Sequence, residues 1–202
     1  MKRPNRGRRG GLRVAACTLT LLAGVLESAP APAQVEPTCT PMAHTRLRLR
    51  KVDDGVGNER ILFRGELEID ELIAIDLAAT GVRFEMLDAA LAPVVDVVLP
   101  AVQFGADRFG WTTNGGGTVW SWRDHDSDVS GFRRATFKRP SRSSRLRFAL
   151  FGQDFEFALP TLPLTLRVTF ATADGVTPIC GHQIAQEVEC HFRNEGNKLI
   201  CR

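Results

Sequence analysis

The chain has 202 residues, 44% of them hydrophobic, with 26 basic and 23 acidic residues and a formal net charge of +3. That is enough chain for one domain with a real core and too little for two comfortable ones. The small charge excess gives no reason to expect a nucleic-acid binder.

Residues 1–33 read as a cleavable secretory signal peptide. Lys2, Arg3, Arg6, Arg8, Arg9 and Arg13 come first with no acid among them, an apolar run follows over residues 14–26, and Ala31-Pro32-Ala33 supplies an A-x-A cleavage site. A transmembrane anchor does not fit, because a helix over that run rises only about 20 Å against a hydrocarbon core of about 30 Å. Arg8-Arg9 suggests a twin-arginine signal, but Gly10 and Gly11 stand where an apolar pair belongs. Cys17 leaves with the leader, and no cysteine is placed for a lipid anchor. Cleavage removes six basic residues and one acidic one, taking 26 and 23 to 20 and 22, so the remainder nets −2. No later apolar run is long enough to span a membrane. The remaining cysteines are Cys39, Cys180, Cys190 and Cys201, an even number in an exported chain, where disulfides are the default.

Residues 34–43 lack periodicity and read as a linker pinned by Cys39. Beyond them the hydrophobic period is two. Arg46-Leu47-Arg48-Leu49-Arg50 alternates strictly, and Ile61, Phe63, Gly65 and Leu67 form one face of the next strand after the turn residues 53–58. Residues 70–80 fit either a helix, with Asp70 as N-cap and Gly81 as stop, or an extended crossover, which is the preferred reading. A strand around Val82 folding onto one around Val95 sets Val82 opposite Leu99, Phe84 opposite Val97 and Met86 opposite Val95. The same register opposes Glu85 to Asp96, a like-charge pair that is either solvent-screened or the mark of a cation.

Residues 111–113 and 118–123 flank an Asn114-Gly115-Gly116-Gly117 turn, with Trp120 and Trp122 on one face. Further strands are expected over residues 131–138 and 145–151, then through Phe155, Phe157 and Leu159, and then through Leu164, Leu166, Val168 and Phe170. The C-terminus reads as a hairpin in which pairing Arg193 with Lys198 aligns Phe192 with Leu199 and Cys190 with Cys201. That register makes Cys190–Cys201 the preferred bridge and leaves Cys39–Cys180 for the other. The expected fold is all-β. A single antiparallel β-sandwich of immunoglobulin-like layering spans residues 44–186, and a disulfide-closed hairpin spans 187–202.

Two clusters invite chemistry. Asp124-His125-Asp126-Ser127-Asp128 places acids at alternate positions, as a calcium loop begins. Position six is Val129 where the turn wants glycine and position twelve is Ala135 rather than Glu, so an Asp-rich turn is the plainer reading and calcium, on Asp124, Asp126 and Asp128, the alternative. No other cofactor is implied. Arg133, Arg134, Lys138, Arg139, Arg142, Arg145 and Arg147 put seven cations in fifteen residues with no acid between them. That patch either holds a polyanion such as an acidic glycan or guards an exposed edge from pairing with other chains.

Local catalytic signatures are absent: no Gly-x-Ser-x-Gly and no His-Glu-x-x-His. Cys180-Gly181-His182 suggests a thiol–imidazole pair, but in an exported chain a disulfide is the better reading. Trp111, Trp120 and Trp122 suggest a sugar platform, against core packing as the commoner use of same-face tryptophans.

The hairpin residues 47–55, 58–60 and 63–65, with Gly81-Val82-Arg83-Phe84 and Trp120-Ser121-Trp122-Arg123-Asp124, resemble a group of exported, β-rich bacterial proteins of uncharacterised function. The resemblance covers roughly residues 45–184. It implies an envelope or extracellular β-sandwich with a cysteine in its last strand, where Cys180 stands, and carries over no active-site residue. The functional expectation is a non-enzymatic exported binding, adhesion or envelope-structural module. Its partner would be an anionic glycan or an envelope protein, in the periplasm or outside. The rival is a secreted hydrolase, with carbohydrate as the candidate substrate class. A flat surface with a continuous arginine patch would favour the first, and a polar cleft with two carboxylates about 5–9 Å apart the second.

Overall fold

The computed structural model describes residues 38–52, 57–105, 107–126, 131–157, 160–186, 189–194 and 196–202. The leader, the start of the linker, Asp128 and Leu159 lie outside the described residues.

The described chain begins with a two-residue strand, β1 (Thr40–Pro41), and continues into β2 (Ala43–Arg50) and β3 (Glu59–Glu68). In β2, Leu47 and Leu49 are buried while Arg46, Arg48 and Arg50, which alternate with them, are not. In β3 the two-residue period persists over the whole strand, with Ile61, Phe63, Gly65 and Leu67 turned inward. Gly65 is needed there: a Cβ would lie 2.7 Å from Cζ of Phe148 and 3.3 Å from Cγ2 of Thr45.

Residues 70–80 are mostly a crossover. The N–H of Leu72 donates to Asp70 Oδ1 at 2.9 Å and the N–H of Ile73 to the Asp70 carbonyl at 3.0 Å, which makes a turn. Only α1 (Leu77–Thr80) is helical, and its N-cap is Asp76, not Asp70. The reason lies in the apolar pattern: Ile75 and Leu77 are buried and Leu72 is exposed, so no stripe at helical spacing exists to bury. Gly81 does stop the helix, with φ of 72° and its N–H donating to the carbonyl of Leu77.

β4 (Val82–Leu87) and β5 (Pro93–Leu99) pair in the expected register, with Val82, Phe84 and Met86 opposite Leu99, Val97 and Val95. β6 (Phe109–Thr113), β7 (Val119–Asp124) and β8 (Arg134–Lys138) form a meander. β9 (Arg145–Phe155) corrects the sequence reading, which ends the strand at residue 151 and starts another at Phe155. It pairs with β3 from Glu68↔Arg145 to Glu59↔Phe155, and Asp154, at φ of 62°, is the extra residue of a bulge. Gly152 is therefore inside a bulged strand rather than a turn.

β10 (Leu164–Ala171), β11 (Pro178–Ala185), β12 (Cys190–Arg193) and β13 (Lys198–Cys201) complete the described strands. One sheet has five strands in the order β1-β11-β10-β4-β5, the other eight in the order β12-β13-β2-β3-β9-β8-β7-β6. All strand pairs are antiparallel except β1 with β11. One cluster of buried side chains draws on both sheets, and the Phe63 and Phe84 rings meet at 5.4 Å.

Both disulfides are those expected. Cys39 bonds Cys180 on β11, with Cα atoms 4.5 Å apart, and Cys190 bonds Cys201 directly opposite in the β12–β13 register, at 4.0 Å. No helix among the described residues is long and apolar enough to cross a membrane.

Candidate functional site

Because side chains alternate across a strand, burying Leu47 and Leu49 turns Arg46, Arg48 and Arg50 to the outer face of the eight-stranded sheet. β3 continues this pattern on one side, and on the other the hairpin adds Arg193 and Lys198 through its register with β2. Register then lines the cations up in rows. Arg193, Lys198, Arg50 and Arg60 are successive partners across β12, β13, β2 and β3. At strand spacing these four lie within about 15 Å. The next row runs His191, Ile200, Arg48, Leu62, Phe151, Arg134 and Arg123 across seven strands. In a third row Arg46 pairs with Arg64, and in a fourth Glu66, Arg147 and Lys138 are partners.

Few acids answer these charges. Glu66 Oε1 lies 2.9 Å from Nε of Arg147, and no other cation of these rows has an ion pair among the described residues. The Nε atoms of Arg46 and Arg48 are buried without a hydrogen-bond acceptor among them. Burial, and then the guanidiniums of Arg48, Arg202 and Arg64, hold Arg46 below the ordinary arginine range. Burial, and then Arg50, Arg48, Arg193 and Arg46, do the same to Lys198. Both effects disfavour the charged form.

The exposed face of the five-stranded sheet is balanced instead. Glu85 does oppose Asp96, but the cation between them is a side chain. Arg83, two residues before Glu85 on the same face, makes a bidentate pair with Asp96 at 2.8 and 2.7 Å and reaches Glu85 at 3.3 Å. The hydrogen bond to Asp96 raises the Arg83 pKa, and the bond from Arg83 holds Asp96 below the usual carboxylate range.

The sequence-contiguous patch at 133–147 does not stay together. Arg134, Lys138, Arg145 and Arg147 are exposed on β8 and β9. Arg139 is not available to a ligand. Its guanidinium donates to the carbonyls of Ile73 at 2.6 Å, Asp70 at 2.7 Å and Ser143 at 2.9 Å, fastening the crossover. Arg142 lies in the intervening loop at φ of 58°, and Nη2 of Arg133 donates to the His125 carbonyl at 3.2 Å. Sequence reasoning missed the larger share of the basic face, on β2, β3, β12 and β13. Its signal was present: arginine at each of the outward positions 46, 48 and 50.

Three depressions open on this face. One of about 140 Å³ is lined by Arg48, Arg50 and Arg60 together with Ile61, Leu62 and Phe151. A second, of about 390 Å³, is lined by Glu189, His191, Arg193, Ile200 and Arg202. A third of about 390 Å³ is lined by Arg123, Arg133, Arg134, Asp124 and His125, with Ser121, Trp122 and Thr136.

The aspartate run meets the third depression at Asp124 and His125. Asp124 is buried on the inner side of β7 and its Oδ1 accepts the N–H of Asp126 at 3.3 Å. Asp126 lies 3.5 Å from Nη1 of Arg108. Among the described residues no group of three or more His, Cys, Asp or Glu is placed to hold a metal. The other buried carboxylate among them, Glu59, accepts the N–H groups of Gly57 and Asn58 at 2.9 and 3.0 Å. Trp111, Trp120 and Trp122 are all at most 2% exposed, so they are core and not a sugar platform. Cys180 is bonded to Cys39 and offers no thiol to His182.

No protein-family model, curated protein or solved structure matches the chain. The functional reading therefore rests on this geometry.

Proposed function

We propose that the protein is an exported, non-enzymatic β-sandwich module that binds an anionic glycan on the outer face of its eight-stranded sheet. The observation that carries the reading is the run of partnered cations Arg193, Lys198, Arg50 and Arg60, with Arg46, Arg48 and Arg64 beside it, none of which has an ion pair among the described residues. Like charges gathered on a rigid sheet repel, and a polyanion laid across them removes that repulsion.

Several observations support the rest. The Phe63–Phe84 contact and the Phe137–Phe170 contact at 6.4 Å favour two packed layers, of immunoglobulin-like arrangement. Two disulfides suit an oxidising compartment and agree with the leader at residues 1–33. The buried carboxylates Glu59 and Asp124 accept backbone N–H groups, which favours binding over hydrolysis. A glycan fits better than single-stranded nucleic acid because the tryptophans are buried and offer bases no stacking platform.

The test is retention on immobilised heparin. The protein should bind at low salt and elute as salt screens the contact. Replacing Arg50 and Arg60 together by glutamine should move elution to lower salt, whereas Arg142→Gln should not. Failure of the unaltered protein to bind heparin, or any other acidic polysaccharide, at low ionic strength overturns the reading.

A further inference from the structure

The smallest of the three depressions says more about the ligand than charge does. Its rim is Arg48 and Arg50 from β2 and Arg60 from β3, adjacent because Arg50 and Arg60 are register partners and Arg48 is two residues along the same face. Its floor is Leu62 with Phe151, which are partners across β3 and β9. Leu62 and Phe151 are half-buried, not sealed. A volume of about 140 Å³ is close to that of the roughly 150 Å³ cavity that holds one benzene ring. The site is thus ring-sized, apolar on Leu62 and Phe151 and cationic around.

We propose that this depression is a subsite for one acidic sugar residue of the glycan. The apolar C–H face of the ring lies on Leu62 and Phe151, and its carboxylate or sulfate is held by Arg48, Arg50 and Arg60. The inference rests on the anionic-glycan reading and adds the unit recognised. A bare phosphate chain has charge for the rim but nothing for the floor. A guanidinium takes a planar carboxylate or a sulfate edge through two parallel N–H groups, which orients the ring over the floor. Row neighbours Lys198 and Arg193 extend the contact toward the next residue of the chain.

The experiment compares a heparin hexasaccharide with a polyphosphate of matched charge, both titrated against the purified protein. Leu62→Gln, which keeps every charge, should weaken the hexasaccharide about tenfold and leave polyphosphate unchanged. The Leu62 methyl signals of the unaltered protein should shift with hexasaccharide and not with polyphosphate, which keeps the test valid if the variant folds poorly. Arg123→Gln, across the sheet, should weaken both probes alike. Equal binding of the two probes with unmoved Leu62 methyls would overturn the subsite while leaving the cationic face as a general polyanion binder. Binding of neither probe would overturn the anionic-glycan reading itself, and tighter binding of a single-stranded oligonucleotide would replace the sugar with a base.

Discussion

Arg83 and Arg139 show how differently two arginines serve one fold. Arg83 bridges two carboxylates in the open, so its contribution is modest. Asp96→Asn should lower stability by no more than about 1 kcal/mol, the range of exposed pairs, in urea unfolding. The pH sign follows from the depressed Asp96 pKa: the unfolded state takes up the proton first as acid is added. The Asp96 contribution is complete above the ordinary carboxylate pKa and is lost as pH falls through the lowered one. The wild-type advantage over Asp96→Asn should therefore vanish in acid. Arg139 is a different case, because three carbonyls of two segments depend on it. Arg139→Ala should cost about 2–3 kcal/mol, as expected for charge-assisted bonds to partly buried acceptors. Arg139→Lys should not restore it, since an ammonium cannot span the fork. Neither change should alter heparin elution. Lys198 has the same pH sign in a higher window but for the reverse reason, its charged form being disfavoured by burial and by Arg50, Arg48, Arg193 and Arg46, which lower its pKa. Between that lowered value and the ordinary lysine value the unfolded chain binds more protons, so stability rises with pH there. Lys198→Gln should raise the melting midpoint at neutral pH and low salt, with the gain shrinking as salt is added.

Neighbouring strands set how much room each other's side chains have. Gly65 on β3 leaves room for the Phe148 ring of β9, and Gly65→Ala should destabilise by about 1–3 kcal/mol through overpacking, measurable by thermal melting with the sheet otherwise intact. At this scale the sequence was legible wherever a period of two met a turn with one solution. The β4–β5 register and the β12–β13 register each follow from placing apolar residues, or cysteines, opposite one another. It was less legible where a local signal was ambiguous. Gly152-Gln153-Asp154 has turn composition, yet the pairing of β9 with β3 carries the strand through it on a bulge. Asp70 has a cap's composition, yet its carboxylate closes a turn and Asp76 caps the helix. The candidate site failed to show for a geometric reason. A charge run along the chain is visible by eye, but a charge row across strands appears only once the register joins residues 50, 60, 193 and 198.

For the molecule as a whole, the two disulfides differ in reach. Cys39–Cys180 spans 141 residues and Cys190–Cys201 only 11. Loop-closure entropy then assigns about 5 kcal/mol to the first and about 3 to the second. Paired serine replacements should show that order in denaturant midpoints, and a larger loss from the short bridge would refute the entropic account. The uneven distribution of charge between the two outer sheet faces has a further consequence. Among the described residues the exposed face of the eight-stranded sheet is rich in unpaired cations, while on the five-stranded sheet Arg83 is paired with Asp96 and Glu85. Residues 34–202 together net −2, so an anionic surface repels the molecule overall and favours only those approaches that bring β2 and its neighbours in first.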